Sequence, residues 1–535
     1  MTCADRWPYL SKKASAALWS AVMLNRRNLL AGAALGLGLG VPSTIALVRK
    51  DARLTGGFDL SGILPMDAVT GVRWTACGAL AALTAKWLSG PLFDVIDRGG
   101  DTRTIHAIDG YPDIKTFAAL AGVDPRTGIG GLLCSKVYDQ SGRGCDFTQA
   151  TPANQPGVWL IEGKIYFGFG GVLSQKALSL PAQFFNVSER VPVNNRSSSV
   201  YAIIKPYCSN AGWVTDRGSP AIYAGASMFS HGPANGIGVV DFSKFSGPSI
   251  AAPVTVQRSI YSHILGADAS QVSLNGAVGT AGPLAAATAM GGRIGFQPGL
   301  PFSTAFSGRM QGFMMSSTPL SPAQDAAVKG ALYKYGDIRS ALPSAIGKVN
   351  ILIDGASFDQ GQGGDPAGKY GTQNGGGYGW PEMLMDQLDG LDIQWNNIAA
   401  SGNRIANCTS TYGSDGHLCF NSSAAKNILV GPNSAVGNTI NDGKTGAQAY
   451  ADFLSWLAVV RADKWDRIIT YTFSGPAGDP EQDYTDLMIA NAETNRVTVV
   501  VMPSIAPNPF DGHPGISGYQ MMASAMRSIL SPLLA

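Results

Sequence analysis

The sequence predicts a multidomain chain, an N-terminal antiparallel β-sandwich followed by a C-terminal three-layer α/β domain built on a parallel sheet. Three observations predict it. The first is length, since 535 residues exceed one ordinary domain. The second is texture: residues 56–337 alternate short apolar runs with Gly, Pro, Ser and Asn clusters, the pattern of many short strands. The third is a change of period after residue 349, where buried-strand runs alternate with helical stretches, which implies a parallel sheet covered on both faces.

Composition narrows the function classes. Hydrophobic residues make up 45% of the chain and charged residues 14%, with 67 glycines, a mix suited to a loop-rich, β-containing extracytoplasmic protein. A net charge of +2 with no basic stripe gives no reason to expect a nucleic-acid partner. Asn25-Arg26-Arg27-Asn28-Leu29-Leu30 leads into a Gly-rich apolar run from Ala31 to Val48, the layout of a twin-arginine export signal. Residues 1–48 therefore read as a presequence, with Met23 an alternative start and Thr44-Ile45-Ala46 a cleavage site. Pro42 and the glycines make this run a poor spanning helix, so no stable membrane span is expected in the mature chain and the location is periplasmic or secreted. Beyond Cys3, the cysteines at 77, 134, 145, 208, 408 and 419 are even in number; in an exported chain they read as disulfides, with Cys408–Cys419 the first pairing expected.

In residues 56–337 the segments 199–204, 236–240 and 291–296 read as strands. A helix is expected over 76–88, where small and apolar residues dominate. Another is expected from Ser321 to Tyr335, because Ser321 is a good N-cap and Pro322 suits the first helical turn. Residues 338–348 read as a linker. In the last domain, 349–535, strands are expected at 350–353, 427–430, 467–471 and 497–501, and helices at 379–388, 447–460 and 483–492.

Candidate chemistry collects at strand ends, where open α/β sheets bind ligands. Ile353-Asp354-Gly355-Ala356-Ser357 presents a serine just after the first strand, and a serine hydroxyl needs a base to become a nucleophile. Ala400-Ser401-Gly402-Asn403 is a glycine turn after Asn397-Ile398-Ala399, and Val430-Gly431-Pro432-Asn433 follows another strand. Asp511-Gly512-His513-Pro514 lies in the last loop. Each block alone reads as an ordinary turn; four in this order do not. Asn441-Asp442 is a rival to Asn433 that no strand directly precedes, and His417 reads as a loop residue.

These blocks resemble the SGNH/GDSL-type serine esterase family, above all His513-Pro514-Gly515-Ile516-Ser517-Gly518-Tyr519, its closing block. The resemblance implies Ser357 as nucleophile, His513 as general base, and an oxyanion hole from Ser357, Gly402 and Asn433. It implies no metal and no organic cofactor. Three departures stand out. Ala356 replaces the aspartate of Gly-Asp-Ser, and Ser434 replaces the aspartate of Gly-x-Asn-Asp. Phe510 occupies the usual acid position three residues before the histidine, leaving Asp511, two before, to orient the imidazole. The other possibility is a Ser–His dyad oriented by a backbone carbonyl.

Val137-Tyr138-Asp139-Gln140-Ser141-Gly142-Arg143-Gly144 and Phe147-Thr148-Gln149-Ala150 resemble the concanavalin/laminin-G-like catalytic domain of α-L-arabinofuranosidase B. Glycoside hydrolysis needs two placed carboxyl groups, yet no glutamate occurs between Val191 and Pro381. Glu162 and Glu189 remain, with Asp216, Asp241, Asp268 and Asp325. Asp139 reads as a turn residue capping its own backbone. Trp159 and Trp213 are either sugar-stacking or core aromatics. The expected activity is removal of O-acyl groups, acetyl being simplest, from a carbohydrate or acylated polysaccharide held partly by the sandwich. The alternatives are a glycan-binding surface protein with an inactive hydrolase domain, and an arabinofuranosidase-like glycoside hydrolase acting through the sandwich.

Overall fold

The computed structural model describes residues 54–534 except 170–184, 195–197, 207–211, 215–226, 231–236, 240–248, 251–257, 267–269, 275–276, 280–287, 295, 298–303, 306–307, 339–348, 362–378, 389–392, 423 and 506–512. The export segment, Cys208, most of the linker and Asp511 lie outside the described residues. Among the described residues no helix is long and apolar enough to cross a membrane.

The first lobe is an antiparallel β-structure in two layers. At its centre Gly308–Ser316, buried at all nine positions, pairs with Ser198–Pro206, Trp74–Ala79 and Lys164–Phe169. The sheet continues through Gly157–Ile161, Ile129–Val137, Pro91–Ile96 and Thr102–Ile108. Phe185–Asn194, paired with Thr288–Ile294, joins this sheet through Phe147–Thr148. Edge-on ring contacts tie these strands together: Phe167 with Phe185 at 5.7 Å and Phe147 with Phe313 at 5.8 Å. The capped helix Pro322–Tyr335 forms as expected, with a reciprocal Ser321–Gln324 capping box.

The helix expected over 76–88 is not there. Trp74–Ala79 is a strand buried at every position, followed by a single 3-10 turn at Ala85–Trp87. Its small residues serve layer packing rather than helix propensity: a Cβ on Gly78 would come within 2.6 Å of the Phe147 ring.

The second lobe has the expected α/β architecture. Its sheet runs Ile393–Asn397, Val349–Ile353, Lys426–Val430, Arg467–Phe473, Thr498–Met502, every pairing parallel. Alternation sorts its side chains to two faces. Ile351, Ile353, Ile428 and Val430 pack with the helices Trp380–Gln387 and Ile516–Leu534. Leu352 and Leu429 pack on the other face with Ile405–Thr411, Ala435–Asn441 and Gly446–Val460. Ile393–Asn397 is one edge strand, and its polar residues hid it in the sequence.

The expected disulfides are corrected. Cys77, Cys134 and Cys408 are buried free thiols, and Cys145 and Cys419 are buried beside them in the cores without a disulfide between described cysteines. The Cys408 thiol, on the helix Ile405–Thr411, points to the Gly355 carbonyl at 3.7 Å rather than to Cys419. These cysteines act as small core residues.

Residues from Leu54 onward form one compact unit. Ile129, Trp159, Ile161 and Tyr166 of the first lobe share a core with Val349, Trp380 and Met383 of the second. Within this seam Asp386 meets two buried cations, Lys205 at 3.2 Å and Arg309 at 3.4 Å, and Lys205 also donates to the Met385 carbonyl.

Candidate active site

The first parallel strand ends at Ile353, and the chain turns out of the sheet over Asp354-Gly355-Ala356. Asp354 N–H still donates to Val430, one residue beyond the strand. Ser357 then opens a four-residue helix closed by Gly361 at φ +82°. This puts the serine at the carboxyl edge of the sheet, 8% exposed.

Three other loops converge on this turn. Ala400 N–H and the Asn403 side chain both donate to the Gly355 carbonyl, each at 3.3 Å. Between them Gly402 is exposed, with φ +79° and open space around its Cα. Asn433, just past the third strand segment, adopts φ +36°, a left-handed conformation that Asn tolerates. Its Oδ1 accepts from Tyr471 N–H, which fixes which end of the amide is which. Its Nδ2 then donates to the Asp354 carbonyl at 3.3 Å and to Asp359 Oδ1 at 3.1 Å, so both amide hydrogens are engaged. His513, half-buried before the last helix, stands edge-on to Phe358 at 5.5 Å, and Phe358 stands edge-on to Phe473 at 5.8 Å. No hydrogen bond joins Ser357 to His513 among the described residues; the imidazole meets the Ser357 turn through the neighbouring Phe358 ring.

Asp359 was not singled out in the sequence. It is fully buried and accepts six hydrogen bonds. Oδ1 takes Trp380 Nε1 at 3.2 Å, Asn433 Nδ2 at 3.1 Å and the Tyr471 hydroxyl at 2.9 Å. Oδ2 takes Ala356 N–H at 3.2 Å, Ser434 N–H at 3.3 Å and the Ser434 hydroxyl at 2.6 Å. Burial raises its pKa to about 6 against these donors, so it is ionised at neutral pH. Two of the three positions that depart from the expected pattern, Ala356 and Ser434, both bind this one carboxylate. Gly355 is required beside it: a Cβ there would lie 2.1 Å from Oδ2. The only sequence signal was an acid two residues after the serine, within the same turn.

Asp354 is also fully buried, takes the Trp456 indole at 2.8 Å, and is pushed up to about 7 by burial. Cys408, beside it, is held well above the usual thiol range by the same cause, which makes it an inert thiol. The rival Asn441-Asp442 lies at the surface, where Asp442 pairs with Arg404, and His417 is an exposed turn residue.

In the first lobe Asp139 is the turn residue the sequence suggests. Its carboxylate accepts from the backbones of Ser141, Arg143 and Cys145, and also from Cys77 across the sheet. Gln140 likewise bonds Leu83 and Ala81. The Tyr-Asp-Gln-Ser-Gly motif is thus a structural staple. Trp159 is fully buried, so of its two readings the core aromatic holds. Asp325 is taken by Tyr201 and Lys329, and Glu162 is an exposed turn residue with φ +47°. The side chains of Trp213, Glu189, Asp216, Asp241 and Asp268 lie outside the described set. Among the described residues no group of three or more His, Cys, Asp or Glu is placed to hold a metal ion.

No protein-family model and no curated protein matches the chain. Among solved structures it is similar to a GH54 α-L-arabinofuranosidase, at 15% identity over 53% of this chain and 67% of that chain, TM-score 0.38. It is similar to a family two carbohydrate esterase from Cellvibrio japonicus, at 12% identity over 77% and 96% of the two chains, TM-score 0.32. It is also similar to a member of the lipolytic protein G-D-S-L family from Veillonella parvula DSM 2008, at 14% identity over 34% and 98%, TM-score 0.28. At such identities and scores the chemistry of the site rests on its own residues.

Proposed function

We propose that the second lobe is a serine ester hydrolase acting on O-acylated carbohydrate outside the cytoplasm, with acetyl as the simplest acyl group. The observation that carries this reading is convergence. The loops bearing Gly402, Asn433 and His513 all contact the single turn 354–359 that presents Ser357. In the proposed reaction Ser357 Oγ attacks the acyl carbonyl while His513 accepts its proton. The alcohol leaves with that proton, and water activated by His513 releases the acid from the acyl-enzyme. The oxyanion forms against the N–H groups of Ser357 and Gly402. Asn433 adds a third donor by trading its 3.3 Å bond to the Asp354 carbonyl for the oxyanion. Asp511 or a backbone carbonyl orients the imidazole. The carbohydrate reading is supported by the resemblance of the first lobe to sugar-active sandwiches, although Asp139 and Trp159 are committed to structure there.

The test is hydrolysis of a chromogenic acetyl ester by the wild type and Ser357→Ala. We expect the variant to lose at least ~10³-fold in kcat. Equal activity in the two proteins would remove Ser357 from the mechanism.

A further inference from the structure

We propose that Asp359 is the positioning residue of this site, an ionised carboxylate that sets the Asn433 amide and the Ser357 turn without touching substrate. The inference rests on the ester-hydrolase reading and deepens it. A fully buried carboxylate is costly unless hydrogen bonds replace its hydration. Here six neutral donors do so, and no lysine or arginine is among them. A carboxamide would turn its N–H2 toward N–H donors on either side, and a protonated acid would have to reverse the Ser434 or Tyr471 hydroxyl, so the anion is the form that accepts all six.

The partners of Asp359 are the reason to assign it more than a packing role. Ala356 immediately precedes the nucleophile. Asn433 is the side-chain oxyanion donor, and its amide is pinned between Tyr471 N–H, the Asp354 carbonyl and Asp359. Ser434 is the next residue of that same loop. One carboxylate therefore fixes the spacing between the attacking hydroxyl and the group that receives negative charge. It does so from within the helical turn that Ser357 opens. Small errors in that spacing act on the transition state more than on substrate binding.

The experiment uses the full chain and a chromogenic acetyl ester, with kcat and KM measured separately and folding followed by thermal denaturation. Asp359→Asn is expected to lose ~10²-fold in kcat with KM changed less than about 3-fold. The carboxylate is then moved across its 2.6 Å bond. Asp359→Ser should be as poor as Asp359→Asn, and Asp359→Ser combined with Ser434→Asp should recover at least about 10-fold. Tyr471→Phe removes one donor from Asp359 while keeping the ring, and should lower kcat by about 5-fold at unchanged KM. It decides the matter if the Asp359 variants do not fold. A folded Asp359→Asn with kcat within about 3-fold of wild type overturns the proposal. So does a folded but unrescued double variant, or an unchanged kcat in Tyr471→Phe. An inactive Ser357→Ala beside a fully active Asp359→Asn defeats only this inference, whereas an active Ser357→Ala defeats the reading beneath it.

Discussion

Asp354 shows how a single buried acid at this site shapes stability. One of its oxygens takes the Trp456 indole, and the other has no hydrogen-bond partner among the described residues. Burial lifts its folded pKa to about 7, above the unfolded value of ~3.9. The native state then binds the proton more tightly than the unfolded chain. Its contribution favours folding at low pH and is lost as pH rises from about 4 through about 7, on the order of 2–4 kcal/mol in all. Asp354→Asn keeps an acceptor for Trp456 and removes the charge. It should melt higher than wild type at pH 8 and show a shallower fall in Tm between pH 5 and pH 8. Asp359 and Glu382 shift in the same direction, so the slope should shrink rather than vanish. An Asp354→Asn protein with the wild-type slope would count against the assignment. At this scale the serine and histidine blocks stand out as candidates because each sits in a recognisable local run. Asp359 was not, because its meaning comes from Trp380, Ser434 and Tyr471, segments far apart in the chain. The cysteines misled for a related reason: their even number carried no information about which cores they fill.

Among the elements, the short helix Trp380–Gln387 has the most to hold together. Six consecutive residues, Trp380 to Met385, are buried, because the helix is wedged between the parallel sheet and the first lobe. Trp380 lies edge-on to Tyr471 at 6.0 Å and donates to Asp359, so its N-terminus braces the Ser357 turn. Its C-terminus holds Asp386 against Lys205 and Arg309. Removing one member of a buried ionic group leaves an uncompensated charge, typically about 3–5 kcal/mol. Asp386→Ala should therefore lower Tm sharply, while Lys205→Met, Arg309→Met and Asp386→Leu together should restore most of the loss. A Tm unchanged in Asp386→Ala would mean that the two cations find other partners. The helix was visible in the sequence. The ion group was not, since its members come from the strands Ser198–Pro206 and Gly308–Ser316 and from a helix beyond them. Elements whose residues are small or alternate with polar ones, Trp74–Ala79 and Ile393–Asn397, were the ones misread or missed. Their state is decided by what packs on them, not by local preference.

Across the whole molecule the two lobes differ in architecture yet share one core. The change from short-strand texture to strand–helix alternation made both folds readable, and it suggested modules on a tether. The structure shows a seam. Trp159 lies in it with Gly131, Gly157 and Gly168 around the indole, each so close that a Cβ would fall within 2.7 Å of the ring. Arg309 covers the same ring at 5.6 Å. With apolar and ionic contacts spanning the seam, calorimetry of the protein should show one cooperative unfolding transition. Two separable transitions would mean that the lobes fold independently.

The buried Lys205–Arg309–Asp386 group also bears on how such a chain can be inherited. Recombination that grafted another α/β domain onto this sandwich would leave two cations facing an unmatched surface, with three glycines shaped for an indole beneath it. The lobes must then change in concert, each substitution on one side waiting for its answer on the other. What reads along the sequence as a pair of interchangeable cassettes is, physically, a single packed body.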